Sequence, residues 1–273
     1  MKKTFVKILL YSFLIVISVI SFAPLLWMMS ASLMPSGGAS VFPPRFFPET
    51  ITFEHYKVLF TRINIGKYVL NSFLVSAGVT IVSLIVNSMA GYAFAKFRFA
   101  GRDKIFNFLI ASMIVPGQVT MLPLFIILNK LGLVNTYWGI LIPGMASIFG
   151  IFLIRQYALS LSESLLEAAR MDGAHDVEIY WRIVLPLVRP ILVTLGLFTF
   201  MGTWNDFLWP LIIMTDDSMY TLPVAVGNLM GEHAPDTELM MAGSVLTVLP
   251  ILIVFMIVQK QYIKGIMSGG VKE

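Results

Sequence analysis

The 273-residue chain has no cysteine, which excludes a disulfide framework, a thiolate-held metal and a cysteine nucleophile. Charge is scarce: 12% of the residues are Asp, Glu, Lys or Arg, about half the usual ~25%. Histidine is limited to His55, His175 and His233, in three different loops, so no metal site is expected. There is no H-E-x-x-H, no second carboxylate within an apolar run beside Asp206, and no histidine inside such a run. That removes metallo-, aspartyl and serine hydrolysis within a membrane. A G-x-x-x-x-G-K-[ST] phosphate loop is also missing, since Gly66-Lys67 lacks both the preceding glycine and a following Ser or Thr. No ATP hydrolysis by this polypeptide, no cofactor and no metal are therefore expected.

What is abundant is apolar. Hydrophobic residues make up 58% of the chain and the mean hydropathy is +0.85, values of a polytopic membrane protein and not of a soluble enzyme. The 17 methionines form no compact ligand cluster and read as soft packing. Crossing ~30 Å of hydrocarbon takes about 20 residues of helix, and six charge-poor runs qualify, near 8–30, 69–95, 105–128, 133–154, 190–213 and 240–259. The first exceeds the ~7–15 residues of a secretory signal core, so it reads as a retained helix despite Lys2, Lys3 and Lys7 before it.

Six spans put both termini on one side. The N-terminus, the 96–104 loop, the 155–189 loop and the C-terminus hold 3, 4, 4 and 3 Lys+Arg, 14 of the 19. The 215–239 loop holds five acids and no Lys or Arg. The positive-inside rule then places both termini and the 155–189 loop in the cytoplasm. The pI near 9.2 is accordingly a topology signal and not a nucleic-acid footprint. The segment Pro35 to Pro48, with its Gly and Pro pairs, reads as an irregular external connection that separates the first helix from a more compact body beginning near Lys67, which divides the chain into 1–66, a core at 67–260 and a cytoplasmic tail at 261–273.

One loop is unusual. Glu167 to Pro186 packs six charged residues into twenty positions. Ser160 and Glu163 have capping-box spacing, which predicts a helix from Ser160 to a stop at Gly173. Val177, Tyr180, Trp181, Val184 and Leu185 then form one apolar stripe of a second short helix, ended by Pro186. Ala169 and Gly173, four apart, share one face and offer close backbone approach, while Glu167 and Asp172 offer charge to a basic partner. The segment is either an amphipathic connector on the bilayer surface or a docking site. Its four acids against two arginines favour a protein partner.

The same residues carry a resemblance. Glu167-Ala168-Ala169, Gly173, then nine residues and Ile183-Val184-Leu185-Pro186 resemble the EAA loop of permease subunits of binding-protein-dependent ABC importers. "PGQVTMLPLF" from Pro116, "LGLVNTYWGI" from Leu131, "TWNDFLWPL" from Thr203 and the closing "GGVKE" resemble the carbohydrate branch, in particular the smaller permease of maltose-type systems. The resemblance implies an all-α type I importer permease fold with six transmembrane helices, and a cytoplasmic coupling helix at Glu167, Ala168, Ala169, Asp172 and Gly173. It also implies a second permease, a separate cytoplasmic ATPase dimer that holds ATP and Mg, and an extracytoplasmic solute-binding protein, in a bacterial or archaeal cytoplasmic membrane. The implied cargo is a di- or oligosaccharide, with a polyol or sugar-phosphate as alternatives, and the tail from Lys264 would lie near the ATPase.

Two stretches are candidates for the translocation path. Ser72, Ser76, Thr80, Ser83, Asn87 and Gly91 make one small, polar face along the second span, suited to a path or to helix packing. Asp206 lies sixteen residues after Pro190, ~24 Å along a helix. Asn205 and Asp206 would face a polar gate with Trp204 and Trp209 against sugar C–H faces, or else sit in an aromatic belt where the Asp fixes packing.

Overall fold

Backbone in hydrocarbon has no water to bond to, so each apolar run must satisfy its own N–H and C=O groups. The computed structural model describes residues 2–43, 45–232 and 236–270, with side chains over 4–43, 45–229 and 236–260. Among the described residues every regular element is helical. His233 and residues 271–273 lie outside them, as do the side chains of the 261–273 tail.

The helices are α1 (Lys2–Ala31), α2 (Glu54–Thr61), α3 (Ile65–Lys96), α4 (Arg102–Ser112), α5 (Gly117–Lys130), α6 (Trp138–Gly144), α7 (Ile148–Leu159), α8 (Glu163–Met171) and α9 (Asp176–Ile179). A π-helical turn, Tyr180–Val184, follows, then α10 (Leu185–Leu187), α11 (Arg189–Trp204), α12 (Leu208–Ile213), a 3₁₀ turn at Asp217–Met219, α13 (Leu222–Glu232) and α14 (Thr237–Gly270). Four stretches are long and apolar enough to cross a bilayer unbroken: Thr4–Ala31, Ile65–Lys96, Trp138–Leu159 and Thr237–Lys260. Two bent pairs bring the spans to six, α4 with α5 at 106° and Asp176–Leu187 with α11 at 78°.

Two of the straight spans read from hydropathy are broken in the structure. Within 105–128 the helix tightens into i→i−3 bonds, Met113 to Ile110, Ile114 to Ala111 and Val115 to Ser112. Pro116, which has no N–H, then turns the chain to ψ 134°. Within 190–213, helix ends at Trp204 and restarts at Leu208, so Asp206 lies in a break and not at a helix centre.

The chain divides into two compact units, Met1–Lys67 with Val224–Pro250, and Tyr68–Pro223 with Ile251–Glu273. In the first, the irregular segment after α1 is tied by polar contacts. Ala39 N–H donates to the buried Glu238 carboxylate at 2.6 Å, and the His55 ring bonds the Met34 carbonyl at 2.9 Å. Among the described residues of the second unit, two buried apolar clusters stand out. One gathers Tyr92, Ile154, Leu166, Ala169, Ile179, Tyr180, Val184, Val188, Ile191 and Leu195. The other gathers Val75, Val79, Leu128, Ile140, Trp209, Ile213 and Met214.

Candidate functional site

The helix predicted from Ser160 starts three residues later. Ser160 closes α7, and α8 begins at Glu163 after Ser162, which makes no side-chain cap bond and instead hydrogen-bonds Ser164 at 2.6 Å. The start is held from elsewhere. Lys96, its side chain 4% exposed, donates from Nζ to the Leu161 carbonyl at 2.7 Å and reaches Glu163 at 3.4 Å. Arg155 returns a bond from α7 to the Phe94 carbonyl at 3.2 Å and lies over the Phe106 ring at 4.0 Å.

The stop at Gly173 is where the sequence put it. Gly173 has φ +86°; its N–H donates to the Arg170 carbonyl and that of Ala174 to the Ala169 carbonyl, both at 3.0 Å. These are the two bonds of a Schellman cap, which satisfy the last carbonyls of α8 and favour glycine at the left-handed position.

Ala169 and Gly173 do not share a face. Ala169 is buried beside Leu166 in the first cluster, whereas a Cβ at Gly173 would meet nothing within 4 Å. The outward side of α8 carries Glu167, Ala168, Met171 at 83% exposure, Asp172 and Gly173. Charge is unevenly committed there. Arg170 pairs with Asp176 at 3.2 Å and Arg182 with Glu178 at 2.6 Å. Both arginines are thus paired, and Glu167 and Asp172 have no ion pair among the described residues. The result is a small-residue acidic surface on a capped helix.

The second half of the elbow departs from its predicted stripe. Val177 and Trp181 are exposed at 71% and 49%, and the buried residues are Ile179, Tyr180, Val184 and Val188. From Tyr180 on, a π turn in which Leu185 N–H bonds the Tyr180 carbonyl, five residues back, takes the later residues out of a 3.6-residue register. Pro186 does not end the helix but sits inside α10, and the bend falls at Val188. Tyr180 faces protein and not lipid, with its hydroxyl 2.7 Å from that of Ser88 on α3. Leu166 and Ala169 of α8 share one cluster with Val184, Val188, Ile191 and Leu195. α8 and the root of α11 are therefore packed into the same buried cluster.

Along α3, Ser72, Ser76, Ser83 and Asn87 are buried at 0–1% exposure. Ser72 accepts from Leu222 N–H at 2.7 Å. Asn87 accepts from Ser147 N–H at 3.0 Å and donates to Ser83 at 2.7 Å. A Cβ at Gly91 would come within 2.7 Å of Ile154. These residues hold the chain's own helices together, as small and hydroxyl side chains do in membranes. Ser76 Oγ is buried without a partner among the described residues. Thr80 edges an open groove of about 350 Å³ with Leu84, Gly196, Phe200, Val254 and Val258.

The aromatic stretch is likewise built into the fold. Trp204 is 1% exposed and stacks on Phe200 at 5.8 Å. Trp209 donates its indole N–H to the Gly139 carbonyl at 3.1 Å. Neither offers an open face to a sugar within this chain. Asp206 accepts from Trp209 N–H at 3.3 Å, a capping contact at the start of α12, and Asn205 is exposed. Asn135, at φ 57°, accepts from Thr215 and Asp216 N–H at 3.1 Å each. The two stretches "LGLVNTYWGI" and "TWNDFLWPL" are thus one packed unit around Gly139, Trp209 and Ile213. Lys96, Ser88 and Asn135 were not singled out from the sequence. Lys96 read as one more topology charge, and nothing local marks the other two.

A helical membrane subunit with a bent span rooted in a two-helix elbow is the type I importer permease architecture. Its fold matches one permease chain of a bacterial ABC transporter involved in the import of the acidic polysaccharide alginate, with a TM-score of 0.84, 26% identity, and coverage of 95% of this chain and 97% of that one. Residues 87–267 match the family described as the binding-protein-dependent transport system inner membrane component. The chain belongs to that family. It is 36% identical over 262 residues to an arabinooligosaccharides transport system permease of Halalkalibacterium halodurans, covering 94% of this chain and 93% of the relative. It is 30% identical over 262 residues to a lactose transport system permease of Rhizobium radiobacter, covering 96% and 95%.

Proposed function

We propose that this chain is the permease subunit of an ATP-driven importer that carries a di- or oligosaccharide across the cytoplasmic membrane, both termini facing the cytoplasm. Near-full-length similarity to permeases named for arabinooligosaccharides and lactose supports the sugar class. A second permease completes the path, an extracytoplasmic binding protein delivers the sugar, and ATP and Mg are held by a separate ATPase dimer.

The observation that carries the mechanism is the two-sided character of α8. Its outward side presents Glu167, Ala168, Met171, Asp172 and Gly173, with two carboxylates whose charge is not spent inside the elbow. Its inward side, Leu166 and Ala169, is locked to α11. We read the first as the seat of the ATPase and the second as the transmission. Closure of the ATPases moves α8, and the cluster carries that movement into α11. Of the path candidates, Thr80 and Asn205 keep an open side in this chain and are the ones proposed to meet sugar, whereas Ser76, Ser83, Asn87, Trp204 and Asp206 shape the helices behind them.

Co-purification tests the seat. Tagged protein from native membranes is expected to retain an ATPase in stoichiometric amount, and Glu167→Lys with Asp172→Lys to release it while the permease pair stays intact. Retention of the ATPase by the double variant removes α8 as the seat.

A further inference from the structure

α3 ends at Lys96 and α4 begins at Arg102, so residues 97–101 turn the chain where a span leaves the hydrocarbon. Arg102 closes the turn on itself. Arg102 N–H bonds the Phe99 carbonyl and its Nη1 bonds the Phe97 carbonyl, both at 3.3 Å. Inside it is an open hollow of about 630 Å³ lined by Arg98, Phe99, Gly101, Arg102, Asp103 and Lys104.

The lining carries three cations and one carboxylate, a net charge of +2. Asp103 is committed to Arg102, its two oxygens 3.0 and 3.4 Å from the guanidinium. Lys96, the neighbouring cation, is turned away into its buried bond with Leu161. Arg98 and Lys104 are exposed and have no ion pair among the described residues. Phe99 in the lining exposes 42% of its surface, and Ile105 and Phe108, which follow on α4, expose 48% and 73%. Uncommitted cations, an oriented guanidinium and an apolar rim thus meet at one point at the end of a span.

We propose that this hollow is a binding site for the phosphodiester headgroup of an anionic phospholipid, with Arg98 and Lys104 on the phosphate and Phe99 and Phe108 against the acyl chains. Depth favours a lipid over a protein. Five residues, 97–101, join the end of the Ile65–Lys96 span to α4 and are closed on themselves by Arg102, which keeps the hollow in the headgroup layer.

The test is native mass spectrometry of the delipidated full-length chain titrated with dioleoyl phosphatidylglycerol or dioleoyl phosphatidylcholine. The glycerol lipid is expected to be retained and the choline lipid lost. Each basic residue near an anionic surface is worth ~1 kcal/mol, so Arg98→Gln with Lys104→Gln lowers phosphatidylglycerol affinity about thirtyfold. Arg98→Lys with Lys104→Arg keeps it, and so does Arg62→Gln with Lys130→Gln elsewhere on the surface. Equal retention of the two lipids, an unchanged double glutamine variant, or full displacement by millimolar inorganic phosphate overturns the proposal. A double glutamine variant that keeps phosphatidylglycerol but loses a co-purifying ATPase marks a protein dock and overturns it as well.

Discussion

Replacing Gly173 separates two jobs that its position combines. With φ +86° and open space where a Cβ would sit, an L residue there meets backbone strain, while its Cβ meets no clash among the described residues. The left-handed conformation costs a non-glycine residue ~1–2 kcal/mol, and asparagine is tolerated better than alanine. Gly173→Ala and Gly173→Leu should therefore weaken the α8 cap alike, by ~1–2 kcal/mol, a factor of roughly 5–30 in the closed population, and Gly173→Asn less. Hydrogen exchange at the amides of Gly173 and Ala174, which close the cap, reads this directly. Docking has a different dependence. If the surface beside Gly173 seats against an ATPase, leucine interferes where alanine does not, so ATP-driven uptake should fall in the order Gly173→Asn, Gly173→Ala, Gly173→Leu, with a gap between the last two that exchange does not show. Equal uptake by the alanine and leucine variants would refute close approach at this position and leave only the cap.

Asn87→Ala removes the acceptor of Ser147 N–H and the donor to Ser83; a loss of ~1–3 kcal/mol is expected in unfolding of the detergent-solubilised chain, with membrane insertion retained. Lys96→Met deletes a charged bond to the Leu161 carbonyl, worth ~1.5–3 kcal/mol, and should speed exchange over residues 159–165. Glu163→Gln, at an exposed carboxylate, should change little. Asp206→Asn keeps an oxygen to accept from Trp209 N–H and is expected to transport normally, whereas Asp206→Ala loses ~1 kcal/mol of capping; altered sugar preference in the asparagine variant would return Asp206 to the path.

Hydropathy located the spans because a helix that must cross hydrocarbon needs an unbroken apolar stretch, and Ile65–Lys96 and Thr237–Lys260 came close to the expected limits. It missed the bends because the residues that make them are themselves apolar. Met113 to Pro116 read as continuous hydrocarbon, yet Pro116 lacks the N–H that would continue the ladder; the bend at Val188 falls just before the span read from 190, in a stretch read as loop. Gly173 was legible since a left-handed C-cap has a strong residue preference. Ser160 misled because the spacing of a capping box recurs two residues before the residue that actually precedes the helix, and the start is held by Lys96, far away in sequence. Beyond Tyr180 the stripe from Val177 also met a π turn, which a 3.6-residue template cannot foresee. On α3 the small polar face was visible, but which neighbour it faced was not, because the donors Ser147 and Leu222 lie 60 and 150 residues away.

Transport by the assembled complex tests the central claim most directly. The chain would be reconstituted in proteoliposomes with its partner permease, ATPase and binding protein, and uptake of labelled oligosaccharides measured with and without ATP. Sugar accumulation that requires both ATP and the binding protein, and that stops when Glu167 and Asp172 are reversed to lysine, is the expected result. Accumulation that persists without ATP, or that this chain alone supports, contradicts its role as an importer subunit driven through α8.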